Sequence, residues 1–172
     1  MFQISECNFS YEYKKNASLH HPFKGSVLSN GTLESSISGE LRTINRGMKV
    51  RVYRNLNKPE FFSILAHDGP YKGKVCGYAR SVVVLEPKLL VSEASRLRVL
   101  NQKRRNVHSY VVGYLDDVSD FVQDLGSEFC EATYNPYRSS FFYWRDTGEP
   151  VDCLGSAVIV QAAGVYVRKV TQ

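Results

Sequence analysis

A chain of 172 residues that is 43% hydrophobic and 23% charged can bury one good core, which argues against an intrinsically disordered polymer. No apolar run approaches the roughly 20 residues a membrane helix needs, so no membrane partner is expected. The net charge of +5 conceals a split: Arg46–Arg105 holds fourteen Lys/Arg against four acids, a net +10, while Asp116–Asp152 holds nine acids and two Arg, a net −7.

Residues 1–47 are rich in Ser, Asn and Gly and nearly balanced in charge, and read as a peripheral arm or hairpin preceding a compact domain at 48–172. Within them Val27–Leu33 encloses Asn30-Gly31, a pair that readily takes the positive φ angles of a type I′ hairpin. Lys49–Arg54 alternates basic and apolar residues, which places Val50 and Val52 on one face of a strand and Lys49, Arg51 and Tyr53 on the other. After the Asn55–Pro59 turn, Phe61–Ala66 is expected to pair with it as a hairpin. His67–Gly73 reads as turn, and Lys74–Arg80 and Val82–Glu86 as two further strands.

In Val91–Arg105 the periods compete. Ala94, Leu97 and Leu100 at helical spacing, Ser92 as N-cap and Lys103-Arg104-Arg105 at the carbonyl end predict a helix from Ser92 to Arg104. The alternative takes Arg96–Val99 as strand alternation. Val107–Leu115 is β-branched and aromatic and predicts a strand; Asp116–Gly126 reads as a short acidic helix or loop, with Val118, Phe121, Val122 and Leu125 toward the core. Glu128–Tyr134 and Phe141–Trp144 follow as strands, and Ala157–Val160 and Val165–Val170 form a terminal hairpin across Ala-Ala-Gly. The expected fold is α+β and mainly β: a twisted antiparallel sheet or small open barrel with one or two short helices.

The cysteines, Cys7, Cys76, Cys130 and Cys153, lie too far apart to offer a paired-thiolate zinc motif. With no secretory pattern in Met1–Lys15, reduced thiols and a cytoplasmic location are expected. His20-His21, His67 and His108 stand apart from any marked nucleophile, and Gly69–Lys74 lacks the spacing of a phosphate-cradling loop. Catalysis has no positive support, and no cofactor is expected. The acids Asp116, Asp117, Asp120, Asp124, Glu128 and Glu131 are the candidates for a Mg²⁺ site or an acid-base pair, against the simpler reading of a solvated acidic face.

The basic segment carries the leading functional reading. Arg96, Arg98, Lys103, Arg104 and Arg105 feed a strand displaying His108 and Tyr110, and Arg51, Tyr53 and Arg54 extend the set: cations for phosphates, rings for bases. The competing reading is a solvated helix end and a core tyrosine. Tyr134–Trp144, with six aromatics in eleven positions, is a protein-binding patch, a base-stacking pocket or a turn pinned to the core.

Three stretches, Val50–Lys58 with Phe61-Phe62-Ser63, Arg96–Tyr110, and Tyr134–Tyr137, resemble small basic proteins of tailed bacteriophages and related mobile elements, from Met48 onward. The resemblance implies an accessory protein and brings no catalytic residues with it. The expected function is non-enzymatic binding of nucleic acid. The alternatives are a protein-directed inhibitor or adaptor of a host factor, and a metal-dependent enzyme acting on nucleic acid or nucleotides.

Overall fold

Alternation of valine with polar residues makes strands, and strands dominate the computed structural model, which describes residues 26–28, 32–103 and 105–168. Twelve strands and one helix follow in order: β1 (Ser26–Leu28), β2 (Thr32–Ile37), β3 (Glu40–Asn45), β4 (Lys49–Arg54), β5 (Phe62–Ala66), β6 (Val75–Ala79), β7 (Ser81–Val91), α1 (Glu93–Gln102), β8 (Ser109–Ser119), β9 (Phe129–Thr133), β10 (Tyr143–Trp144), β11 (Ala157–Gln161) and β12 (Gly164–Arg168). The fold is mainly β, with one helix among the described residues.

Nine strands form one antiparallel sheet in the order β10-β9-β12-β11-β7-β8-β4-β5-β6, open rather than closed into a barrel. β1, β2 and β3 form a smaller antiparallel sheet. The expected pairing around Asn30-Gly31 is present as β1–β2, but Leu28 lies opposite Thr32, so three residues connect the strands rather than the two of a type I′ turn; those residues, like Cys7, His20-His21 and Arg104, lie outside the described residues. Leu33 of β2 and Ile44 of β3 are fully buried in the same apolar cluster as Val50 and Val52 of β4, Ile64 of β5, Val84 of β7 and Leu115 of β8. The guanidinium of Arg42 ties the small sheet to the large one, donating to the Val75 carbonyl at 2.7 Å while pairing with Glu40 at 3.0 Å.

The spine is the pair of eleven-residue strands β7 and β8. Val82, Val83 and Val84 are buried on both faces, so this part of β7 reads as an unbroken apolar run rather than an alternating one. The strand outlasts the expected end at Glu86, continuing to Val91 across an irregularity between Leu85 and Lys88. Pro87 is tolerated there because pairing with β11 stops at Leu85, leaving no ladder bond on that side for a proline to break.

The helix forms as expected from Ser92, its N-cap, and ends with Lys103 in the left-handed region at φ 52°. The strand alternative for Arg96–Val99 does not occur. The segment 116–126 departs from a helix: 116–119 continue β8, paired with Ser81–Val83, and 120–126 are irregular. Cross-strand bonding to β7 outweighs the helical spacing of its apolar residues, and of these Val118 is buried while Phe121 and Val122 are exposed. Asp117 is accommodated in the buried strand by accepting the Val118 N–H at 2.9 Å.

Candidate nucleic-acid interface

The period of two in Lys49–Arg54 sends Val50 and Val52 into the core and leaves Lys49, Arg51 and Tyr53 on the other face of β4. On β8, directly across, Tyr114 pairs with Lys49, Val112 with Arg51 and Tyr110 with Tyr53. On the next strand Lys88 lies opposite Val112 and Leu90 opposite Tyr110. The outer face of β4, β8 and β7 therefore sets basic and aromatic side chains around the apolar Val112 and Leu90.

Its rings are ordered. Tyr53 and Tyr110 stack at 4.8 Å between centroids with 23° between planes, and the Lys49 ammonium sits 5.9 Å above the Tyr114 ring. A groove of about 460 Å³ runs beside them, lined by Lys49, Arg51, His67, Lys88, Tyr110 and Tyr114, with Glu86 as the one carboxylate on its wall. Gly113 permits this geometry: a Cβ there would lie 2.4 Å from Val84 Cγ1 and 2.6 Å from the Leu85 carbonyl oxygen, so only glycine lets β8 press this close to the irregular part of β7.

His67 registers the local potential. Its Nδ1 accepts a hydrogen bond from Arg51 Nε at 3.0 Å, which requires an unprotonated Nδ1. Loss of solvent, and then the charges of Arg51 and Lys49, lower its pKa from the ordinary 6.5, against the opposing pull of Asp68.

The residues singled out from sequence divide between two places. Arg51, Tyr53 and Tyr110 belong to the outer face. Val52 and Arg54 point to the other side of β4, and there Arg54, Lys103, Arg105, His108 and Tyr110 line a separate cavity of about 360 Å³ under α1. Tyr110 is common to both hollows. Arg96 is engaged within the fold, donating to the Pro136 carbonyl at 3.1 Å and pairing with Glu93 at 2.9 Å. Arg98 is exposed on α1 and lines neither hollow. Lys49, Lys88, Tyr114 and His67 were not among the sequence candidates.

The aromatic run at 134–144 also divides. Tyr143 and Trp144 are buried, with the Arg138 guanidinium 3.9 Å from the Tyr143 centroid, while Tyr134 and Tyr137 line the cavity. The acids do not converge: among the described residues no group of three His, Cys, Asp or Glu is placed to hold a metal ion. Glu131 pairs with Arg145 and Glu128 with Arg168. No described helix is long and apolar enough to cross a membrane.

No solved structure matches the chain. The gene 82 protein of Mycobacterium phage L5 is 32% identical over 109 residues, which cover 60% of this chain and 82% of that protein. The family described as Mycobacterium phage L5 gene 82 protein matches residues 43–168, the stretch that runs from β3 through the outer-face groove to the end of β12, and the chain belongs to this bacteriophage protein family.

Proposed function

We propose that the protein is a non-enzymatic accessory factor that binds single-stranded nucleic acid across the outer face of β4, β8 and β7. The observation that carries this reading is the stacked Tyr53–Tyr110 pair flanked by Lys49, Arg51 and Lys88 on one sheet surface. Bases stack on tyrosine rings at about 1–3 kcal/mol each, irrespective of sequence, and phosphates pair with the cations beside them. A sheet face suits a splayed single strand better than a duplex, whose bases are already stacked on one another. The reading places the protein in the cytoplasm, with Cys76, Cys130 and Cys153 as thiols.

Fluorescence anisotropy with a labelled single-stranded oligonucleotide tests it. The double variant Lys49→Glu/Lys88→Glu is expected to weaken binding by at least tenfold while leaving the melting temperature within a few degrees, because both side chains are on the surface. Equal affinity of the variant and the parent protein would overturn the proposal. A partner captured from host lysate through the same face, and retained after nuclease digestion, would favour the protein-directed adaptor instead.

A further inference from the structure

One of the two spine strands loses a neighbour part-way along. β11 accompanies β7 from Ser81 to Leu85, a last bond runs from the Glu86 N–H to the Ser156 carbonyl at 2.8 Å, and from there to Val91 β7 is paired with β8 alone. The ladder fixes where the backbone groups of this stretch point. Ser92 N–H donates to the His108 carbonyl at 2.7 Å, so Val91 and Ser109 are a non-hydrogen-bonded pair, and the N–H and C=O of Lys88 and Leu90 turn toward β8. Those of Leu89 and Val91 therefore turn the other way, and among the described residues they meet no backbone partner.

This edge is one wall of a hollow of about 790 Å³, whose other wall is formed by Phe141, Phe142 and the segment 151–156. Leu89, Phe142, Val151 and Leu154 pack on the core yet are only partly buried, and Leu90 and Phe141 are exposed beside them. The hollow has no Lys or Arg in its lining, and Asp152, exposed, is its one charged side chain.

The occupant follows from these groups. N–H and C=O presented together at every second residue are the complement of another extended main chain, which is how a peptide adds to a sheet edge. An acyl chain would leave four backbone groups unmet, and a polyanion would find a carboxylate and no cation. A second copy could offer the same edge only from behind its own 151–156 wall.

We infer that the 88–91 edge of β7 takes up an extended segment of a partner protein as an added strand, with apolar side chains at alternate positions and a lysine or arginine beside Asp152. The site is separate from the outer-face groove and independent of the reading given to it.

Amide NMR with hydrogen exchange on the full chain is the test. In the free protein the Lys88 and Leu90 amides should exchange at least about tenfold more slowly than those of Leu89 and Val91. The probe is a capped heptapeptide alternating valine with lysine, and its binding should protect the Leu89 and Val91 amides. Of two analogues N-methylated on alternate residues, the one blocked on the side turned to β7 should lose binding and the other should keep it. Val91→Pro removes one edge donor without touching the bonds to β8 and should weaken the peptide about tenfold. Asp152→Lys, at an exposed position, should weaken it several-fold with the fold intact. No binding of the lysine peptide at millimolar concentration, or binding that leaves both edge amides unprotected, would overturn the inference. Protection of those amides that grows with protein concentration in the absence of peptide would give the edge to a second copy and overturn it as well. Lys49→Glu/Lys88→Glu separates the two sites: it should lose the oligonucleotide and keep the peptide, and loss of both together would overturn their independence.

Discussion

At the scale of single residues, His67 is the most direct probe of the outer face. Its folded-state pKa lies below its unfolded value, so its contribution to stability is complete above about pH 6.5 and is lost as the pH falls from there through the folded pKa. Proton NMR titration of the ring, assigned by a His67→Gln variant, should show a midpoint below 6.5 that rises toward the ordinary value in Arg51→Gln, because Arg51 supplies both the hydrogen bond and the largest charge contribution. A bound polyanion neutralises the same cations and should raise the midpoint as well. By linkage, oligonucleotide affinity should then increase as the pH drops from 7 toward 6; a flat profile would show that phosphates do not approach this histidine. Some of this was legible in the residues. The alternation of Lys49, Arg51 and Tyr53 already placed three outer-face groups on one side, and Tyr114 stands four residues from Tyr110, an even spacing that keeps a strand's side chains together. Lys88 was hidden by Pro87, which reads as a strand end unless the pairing on both sides is known.

Among elements, the β11–β12 hairpin turns through Ala162 and Ala163, both at positive φ, 48° and 63°. Register places Gln161 opposite Gly164, so the connection has two residues, and Gly164 belongs to β12 rather than to the turn. An L-residue in the left-handed region costs roughly 1–2 kcal/mol, whereas Asn-Gly adopts this turn readily. Ala162→Asn/Ala163→Gly is therefore expected to stabilise the protein by about 1 kcal/mol, read as a higher urea midpoint with unchanged slope. The hairpin itself was legible from its two β-branched runs, whereas the two-residue connection was not, because alanines carry no turn signature and Gly164 read as part of the turn. Helix α1 was legible because Ser92 and the spaced apolar residues agreed on it. Of the helix or loop suggested for 116–126, the helix is absent and 120–126 are irregular, while 116–119 prolong β8 because the partner strand β7, remote in sequence, selected the extended form. Lys103 closes α1 in a conformation that glycine would adopt at less cost, and it is also one of the three cations on the cavity rim.

Taken as a whole molecule, the +10 segment does not present one basic side. The antiparallel pleat deals its cations alternately, so Lys49, Arg51 and Lys88 face outward over the groove while Arg54, with Lys103 and Arg105, borders the cavity behind. Net charge by segment cannot reveal this partition, since it depends on which residues share a face after pairing. The acids at 128 and 131 meet Arg145 and Arg168 and leave the outer-face cations to other partners. Three phosphate contacts on a single strand give an expected slope of about −2 for log K against log salt, measurable by anisotropy from low to moderate ionic strength. A slope near zero would mean that the tyrosines, not the cations, dominate, and one near about −4 would enlist the rim cations in the same footprint.

The tie between Arg42 and the Val75 carbonyl bears on how the sheet ends. β6 is a border strand, and an unguarded border invites a foreign strand to extend the ladder. Here a guanidinium, itself buried against Glu40, already occupies an acceptor that such an intruder would require. The small sheet thus acts as a stopper at the β6 border, where it holds a backbone acceptor that an added strand would need.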